Sequence, residues 1–231
     1  MKKLSELIRI DIISAIPDIF DSFLSTSIVK IAQEKGLAKI VIHDLHKFAD
    51  NKFGHIDDYP YGGAAGMLIM CEPIFKCIEK LKSERNYDDI IYTAPEGKVL
   101  NQSIANELSL KQNLIILCGH YKGIDQRVRD VLITREISIG DVVLSGGEIP
   151  AMTITDSVIR LLPNVLGDST SALDDSFMDG IFEAPQYTRP SNYKGMEVPE
   201  VLLSGDPKKI SAWQEKESIL KTQKLRPDLL D

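Results

Sequence analysis

Short apolar runs rich in β-branched residues alternate with amphipathic segments through the first 160 or so residues, and this alternation constrains the fold most strongly. The predicted strands cover residues 7–15, 38–45, 88–94, 113–119 and 136–146. The helical spacing of apolar residues predicts helices over 17–36, 72–84, 101–110, 125–133 and 148–162, with Asn101 as an N-cap. Strands that alternate with helices form βαβ units, so we expect an α/β fold with a mainly parallel sheet. Ligands bind such sheets at the carboxyl ends of the strands.

The pattern stops after Pro163, where a segment rich in Gly, Ser, Asp and Thr begins. Such a composition is typical of a linker or loop. Residues 207–225 then form a predicted amphipathic helix, whose apolar side would carry Ile210, Trp213, Ile219 and Leu220. We therefore predict a first domain over 1–164, a flexible linker over 165–180 and a small, mostly helical domain over 181–231.

Composition limits where the protein works and what it binds. Three cysteines without a C-x-x-C pair argue against a disulfide framework or a zinc site and favour a reducing compartment. No apolar run is long enough to cross a membrane, and charged residues interrupt the N-terminal apolar stretch, so we expect neither a membrane span nor a signal peptide, and a cytoplasmic protein. The net charge of -7 counts against binding nucleic acid by bulk electrostatics, although a local basic surface is compatible with it.

Three glycine-bearing segments follow predicted strands and suggest a ligand site. They are TAPEGK (93–98), CGHYKGID (118–125) and SIGDVVLSGGEIPAM (138–152). Glycine at a strand exit permits positive φ and lets backbone N–H groups approach a ligand closely. Each glycine taken singly is explained by the end of a strand. Together, the three exits of one sheet could form one pocket built from main-chain amides.

Several familiar sites are missing from the sequence or poorly supported by it. The glycines match neither the P-loop nor the G-x-G-x-x-G dinucleotide motif. His43 and His46 have no cysteine nearby, so we interpret them as structural histidines and not as metal ligands. The adjacent carboxylates Asp57-Asp58 and Asp174-Asp175 are, on spacing alone, typical of solvated turns.

An ordered series of motifs resembles a known family. The motifs are YPYGGAAGM, CGHYKGIDQRV, SIGDVVLSGGEIPAM, DSVIRLLPNVLG, DDSF, YTRP and GMEVPEVLLSGD, and they span essentially the whole chain. Their order and spacing resemble the bacterial tRNA (guanine-N1)-methyltransferases of the TrmD type, which are trefoil-knotted SPOUT enzymes. The resemblance implies a knotted α/β methyltransferase domain with a parallel sheet, although true knots are nearly absent from proteins. It also implies a homodimer with active sites shared between subunits.

The resemblance further implies S-adenosylmethionine (AdoMet) as methyl donor, held by backbone groups in the knot. The donor site would include residues on all three glycine-bearing segments: Tyr92, Pro95, Gly119, Tyr121, Gly123, Ser138, Ile139, Gly140, Asp141, Val142, Val143, Leu144, Gly146, Gly147 and Pro150. Mg²⁺ is a possible further cofactor, although no carboxylate cluster in the sequence requires it.

The implied substrate is the guanine at position 37, just 3′ of the anticodon, in tRNAs where another guanine precedes it. Asp175 matches the family's general base, which would take the proton from guanine N1. Arg160 matches the residue suited to stabilising the negative charge on O6. Residues expected to face the tRNA are Gly62, Gly63, Arg189 and Lys208, although charged residues of both signs on the C-terminal helix also suit a solvated surface.

Several positions depart from the family pattern. His120 stands where arginine is common, and Lys122 replaces a glutamate near the donor's methionine end. Glu96, Val142 and the pair Ala64-Ala65 also differ from the usual residues, so we expect altered donor affinity with activity retained. Two alternatives stay open: a knotted enzyme that methylates a ribose 2′-OH, and a non-catalytic RNA-binding relative.

Overall fold

A five-stranded parallel sheet organises the larger part of the chain. The computed structural model describes residues 7–166 and 180–230. The strands of the sheet and two short antiparallel pairs are, in chain order, β1 (Ile8–Ser14), β2 (Ala38–Asp44), β3 (Asp57–Asp58), β4 (Leu68–Ile69), β5 (Asp89–Val99), β6 (Asn113–Cys118), β7 (Arg135–Ser138), β8 (Asn192–Tyr193) and β9 (Met196–Glu197). The sheet has the order β2-β1-β6-β5-β7, and each neighbouring pair is parallel. The predicted α/β class with a parallel sheet is therefore confirmed.

Helices cover both faces of this sheet and close two apolar cores. In chain order they are α1 (Asp21–Leu24), α2 (Ser27–Glu34), α3 (Cys71–Glu84), α4 (Gln102–Ser109), α5 (Gln126–Val131), α6 (Glu148–Ile159), α7 (Glu200–Leu203) and α8 (Pro207–Leu225), with 3-10 turns at Pro17–Phe20, Leu45–Phe48 and Pro227–Leu229. Residues of α2, α4 and α6 pack on one face, and residues of α3 and α5 pack on the other.

Strand β6 shows why its sequence is a continuous apolar run. Leu114 and Ile116 lie in the core with α2, α4 and α6, whereas Ile115 and Leu117 lie in the core with α3 and α5. All four side chains are fully buried. A parallel strand covered on both faces has no solvent side, so alternation with polar residues disappears.

The helix predicted over residues 17–36 is wrong as a single element. A 3-10 turn, α1 and α2 replace it, and the interruption falls at Ser25 and Thr26. Both hydroxyls bond back to main-chain carbonyls of the preceding turn, Ser25 to Asp21 at 2.7 Å and Thr26 to Ser22 at 2.8 Å. Such bonds compete with the helical ladder. Ser27 then takes a positive φ of 52°, which a continuing helix cannot contain.

The strand predicted over 136–146 is also too long. β7 ends at Ser138, and residues 139–147 form a loop. Gly140, the second residue of this loop, has a positive φ of 129°. Strand β5 is instead longer than predicted, because it pairs with β7 a second time after a register shift between Thr93 and Lys98. The predicted N-cap of α4 is confirmed, since the Asn101 side chain accepts a bond from the Ile104 amide at 3.0 Å.

The chain divides into two compact units, Met1–Gly167 and Asp168–Asp231. Val165, assigned above to the linker, is buried in the core of the first unit. Within the described parts of both units, no helix has the length and apolar character that crossing a membrane demands.

Helix α8 dominates the second unit, but its buried side differs from the prediction. Ile219 and Leu220 are exposed, whereas Ser218 and Thr222 are buried. Thr222 accepts a bond from the Phe182 amide at 2.9 Å and donates to the Ser218 carbonyl at 2.8 Å. Polar bonds to the segment around Phe182 therefore select this face of the helix, which hydrophobicity alone does not reveal.

A fully buried carboxylate lies within the sheet at Asp11 of β1. Arg9 donates to both of its oxygens, at 2.8 and 2.7 Å, and His43 and Tyr87 donate at 2.7 and 2.8 Å. Burial raises the pKa of Asp11, but the bonds from His43, Arg9 and Tyr87 outweigh burial and hold it well below its usual range. A buried charge is tolerated here because every approach to it carries a donor.

We expect Asp11→Ala to destabilise the protein by about 3 kcal/mol at neutral pH, because it leaves the Arg9 guanidinium buried without its anion. Because the folded-state pKa is lowered, this stabilisation is present above about pH 4 and decreases as pH falls further. Urea unfolding at neutral pH and at a pH below about 4 measures the free energy of unfolding of the wild type and of the variant. Glu79→Ala removes an exposed carboxylate of α3 and is the control; equal losses in the two variants would refute the role of Asp11.

Candidate active site

One cavity lies at the carboxyl ends of β6 and β7 and beside the register shift in the middle of β5, and all three glycine-bearing segments line it. Its walls come from residues 92–96, from the loop 119–124 after β6 and from the loop 137–147 after β7, with Pro150 of α6. This is the sheet edge at which parallel folds bind ligands. The convergence predicted from the three strand exits is therefore found in the structure.

Close packing of main chain holds the loops together at this edge. The Gly147 amide donates to the Gly119 carbonyl at 2.7 Å, and His120 and Gly146 form a bridge. A Cβ on Gly147 would overlap Thr93 and come within 2.7 Å of the Gly119 nitrogen. A side chain at position 147 would thus force the two loops apart, which explains glycine there.

Two main-chain donors of the loop after β7 have no hydrogen-bond partner among residues 7–166 and 180–230. Val142 donates to Gly140, and the Gly140 amide bonds to the Ser138 hydroxyl at 3.2 Å. Within the part of the chain that the structure describes, no hydrogen bond engages the amides of Leu144 or Ser145. These donors can recognise the polar edge of a small ligand without any charged side chain.

Arg129 of α5 closes another side of the cavity. Its guanidinium pairs with Glu136 at 2.6 Å and Glu96 at 2.7 Å, and it lies 5.5 Å from the Tyr92 ring centroid. The bond to Glu136, followed by the bond to Glu96, raises the pKa of Arg129. Burial raises the pKa of the Tyr92 phenol to about 12. The pairing commits the positive charge of Arg129 to two carboxylates, and the Tyr92 phenol on this wall is uncharged at neutral pH.

The start of α6 carries a buried carboxylate close to the cavity. Glu148 is only 3% exposed, and Ser14 of β1 donates to it at 2.8 Å. A Cβ on Gly146 would overlap the other Glu148 oxygen and would stand 2.8 Å from His120 Nδ1. That buried nitrogen has no hydrogen-bond partner in the described residues. Glu148 and His120 therefore leave no room for a side chain at position 146.

The loop after β6 is fastened to the segment that ends at β4. Three main-chain hydrogen bonds of 3.0 Å form this attachment. The Lys122 amide donates to the Met67 carbonyl, the Ile69 amide to the Gly123 carbonyl and the Asp125 amide to the Ile69 carbonyl. A Cβ on Gly66 would come within 2.8 Å of the Lys122 side chain. The glycine-containing segment 62–66 and the cavity wall therefore meet at Lys122.

The structure brings together all the residues predicted to hold a donor except one. Asp141 is exposed and does not line the cavity, although its neighbours on both sides do. Adjacent residues of an irregular loop point in different directions, so a contiguous motif overstates the contacts. That the remaining residues bind a cofactor stays a prediction.

The predicted catalytic residues are not brought to this cavity by the described chain. Arg160 is half-buried at the end of α6 and is not among the lining residues. Asp175 lies outside the described residues. Gly62 and Gly63 are exposed with positive φ values of 88° and 76° in the loop between β3 and β4.

The two predicted RNA-facing residues of the second unit are exposed. Lys208 begins the first turn of α8, where Asp206 caps the helix, and Arg189 precedes a cis proline. Among residues 7–166 and 180–230, no three His, Cys, Asp or Glu side chains form a group suited to a metal ion.

Sequence reasoning missed several lining residues. Thr93 and Ser145 lie inside the glycine-bearing segments but were not singled out, whereas Ile137 lies one residue before the third segment and Arg129 lies on a helix. Its pairing with Glu96 and Glu136 joins α5 to β5 and β7, and neither the helical nor the strand pattern of the sequence signals it.

Comparison with known proteins gives one consistent result. Residues 8–231 match the family described as tRNA (Guanine-1)-methyltransferase TrmD. A tRNA (guanine-N(1)-)-methyltransferase of Christiangramia forsetii is 58% identical over 96% of this chain and 99% of its own. Proteins with the same description from Bacteroides thetaiotaomicron and Azobacteroides pseudotrichonymphae are 54% and 57% identical, again over 96% of this chain, and cover 99% and 100% of their own. The resemblance predicted from the motifs is confirmed, and the chain belongs to the tRNA (Guanine-1)-methyltransferase TrmD family.

Proposed function

We propose that this protein transfers a methyl group from AdoMet to N1 of a guanine in tRNA. The observation that carries the proposal is the cavity at the ends of β6 and β7 and the middle of β5, formed by the same segments whose motifs match the family. The relatives' shared description as tRNA (guanine-N(1)-)-methyltransferases supports the substrate and the modified atom.

The residues of the cavity fit AdoMet in three respects. The amides of Leu144 and Ser145 suit the hydrogen-bonding edge of an adenine, and the side chains of Val142, Leu144 and Pro150 provide apolar contact for its faces. The glycines let main chain approach a flat ligand closely. AdoMet, when bound, supplies an electrophilic methyl group. We further propose that the polypeptide here forms the trefoil knot of the SPOUT enzymes.

The cavity wall offers a binding surface but little acid–base chemistry. Of its carboxylates, Glu96 is committed to Arg129, and within the described residues no other lining side chain is a carboxylate. The side chain that accepts the proton from the substrate must therefore come from outside the cavity wall. We assign that role to Asp175, which would accept the N1 proton and make N1 nucleophilic. Arg160 would stabilise the negative charge that develops on O6.

The substrate is proposed to be the guanine at position 37 of tRNAs that carry a guanine before it. Bases of single-stranded loops can be turned outward and read at their Watson–Crick edge, which gives access to N1. We propose that the first unit holds the methyl donor and that the second unit, with Arg189 and Lys208, contacts the tRNA.

We propose a homodimer in which one subunit supplies the donor cavity and its partner supplies Asp175. Exposed apolar side chains of the loop after β7 and of α6 support an interface there. Val143, which also lines the cavity, is 92% exposed, and Ile149 is 52% exposed. An apolar group of this kind commonly marks a protein contact.

The chemical position of the new methyl group tests the function directly. Incubation of an unmodified tRNA transcript with labelled AdoMet is expected to yield 1-methylguanosine at position 37. Nucleoside analysis after digestion identifies the atom. A label on a ribose 2′-OH would support the alternative knotted enzyme instead, and no transfer at all would support the non-catalytic relative.

Asp175→Asn is expected to lower turnover by about 10²–10⁴-fold, because an amide cannot take the N1 proton. Its affinity for AdoMet should stay within about twofold of wild type, since no residue of the donor cavity changes. Asp174→Asn, one residue away, is the matched control and should keep near-normal turnover. Single-turnover rates measure methyl transfer, and calorimetric titration measures the affinity for AdoMet. Full activity of Asp175→Asn would exclude Asp175 as the general base.

Shared sites predict complementation between two inactive variants. Mixing subunits that carry Arg160→Ala with subunits that carry Asp175→Asn is expected to restore part of the activity in heterodimers. In a heterodimer, one of the two composite sites receives intact copies of both residues only if they come from different subunits. Affinity tags of two kinds isolate the heterodimers for assay. Verified heterodimers without activity would place both residues on the same subunit.

A further inference from the structure

The second unit contains a cavity of its own, distinct in sequence from the donor cavity. It has a volume of about 390 Å³ and is lined on its polar side by Tyr187, Thr188, Arg189 and Ser191. This volume lies within the range of roughly 300–1,000 Å³ that is typical of small-ligand pockets. Tyr187 is 49% exposed, and Thr188, Arg189 and Ser191 are also exposed, so the cavity opens to solvent.

The other residues that line this cavity are apolar. Val198 and Leu202 are half-buried, and Leu203 is 61% exposed at the end of α7. The cavity therefore presents an aromatic ring and aliphatic side chains to the faces of a ligand. Two hydroxyl groups and a guanidinium are available for the ligand's edge. A planar, polar-edged and partly anionic ligand matches this combination.

A nucleobase with its phosphate is such a ligand. Proteins that bind single-stranded RNA stack bases on exposed aromatic rings and contact the backbone with Arg or Lys. Arg189 is exposed beside Tyr187, and no acidic side chain lines the cavity among the residues that the structure describes.

Net charge gives the second unit no general attraction for RNA. Residues 168–231 contain eight Lys or Arg and twelve Asp or Glu, a net charge of -4, although residues 180–230 taken alone carry +1. Affinity for RNA in this unit must therefore come from specific contacts.

We propose that this cavity stacks an unpaired base of the RNA substrate on Tyr187 and holds the adjoining phosphate with Arg189. The inference rests on the proposed RNA substrate, but it assigns a second contact point that is separate from the site of methyl transfer. Thr188 and Ser191 bond the edge of the stacked base, and the aliphatic wall covers its other face.

The chain contains a built-in reporter for this site. Trp213 is the single tryptophan, and its ring centroid lies 6.4 Å from that of Tyr187. It is half-buried on α8. A base that stacks on Tyr187 changes the surroundings of Trp213, so tryptophan fluorescence follows occupancy of the cavity without any label.

The test titrates the full-length protein with a short oligoadenylate and with an oligoribose phosphate of equal length that lacks bases. Stacking predicts a change in Trp213 fluorescence with the oligoadenylate alone, because the two probes differ only in their bases. Tyr187→Ala should weaken oligoadenylate binding about tenfold, and Tyr187→Phe should bind within about twofold of wild type, since it keeps the ring. Equal binding of the two probes would overturn the stacking proposal.

Tyr193→Ala is the matched control. Tyr193 belongs to the same unit and is 55% exposed, but it does not line the cavity. If Tyr193→Ala and Tyr187→Ala lose oligoadenylate affinity equally, the assignment of the stacking site to this cavity is overturned. Circular dichroism of each variant checks folding, and the Phe variant decides the question if the Ala variant does not fold: a loss of about tenfold or more in Tyr187→Phe would overturn stacking.

Methyl transfer on the same samples separates this inference from the proposed function. Tyr187→Ala should raise KM for a tRNA transcript about tenfold and leave kcat unchanged. If the wild-type protein transfers no methyl but Tyr187→Ala still loses oligoadenylate affinity, the proposed function fails and the stacking site stands. If methyl transfer proceeds with an unaltered KM in Tyr187→Ala, the stacking site fails and the function stands.

Discussion

The hydrogen bond from the Gly147 amide to the Gly119 carbonyl fixes the site, because it joins the loops that follow β6 and β7. The two strands are not neighbours in the sheet, since β5 lies between them. Their loops must therefore meet across β5 at Thr93, which leaves no room for a side chain at position 147. The cavity walls, the position of α6 and the exposure of the loop amides all follow from this close approach.

The part of the fold that depends on local pattern was predictable. The sheet strands β1, β2 and β6 are near-continuous apolar runs, and Asn101 caps its helix as its residue type and position suggest. The convergence of three glycine-bearing segments also followed from the rule that parallel strands end at one edge. The identity of the family followed from ordered motifs, which carry information that composition and periodicity lack.

Two of the wrong predictions and two unpredicted features share a physical cause, which is polar groups whose partners depend on the geometry of the fold. Side-chain bonds from Ser25 and Thr26 interrupt a helix that apolar spacing extends, and Thr222 draws a polar face of α8 inward. Asp11 is buried because three donors from separate elements surround it. Arg129 reaches the cavity through carboxylates on two other elements. Such contacts depend on distances across the fold, which hydrophobic periodicity does not encode.

The attachment at Lys122 links two surfaces that the sequence separates widely. Three main-chain bonds and the packing of Gly66 fasten the exposed segment around Gly62 and Gly63 to the wall of the donor cavity. A molecule that binds this segment therefore acts on the same bonds that hold the wall of the cavity in place. Thermodynamic linkage makes such an effect reciprocal: whatever factor one ligand imposes on the affinity of the other, the second imposes on the first. The order in which two substrates arrive then leaves their combined binding free energy unchanged.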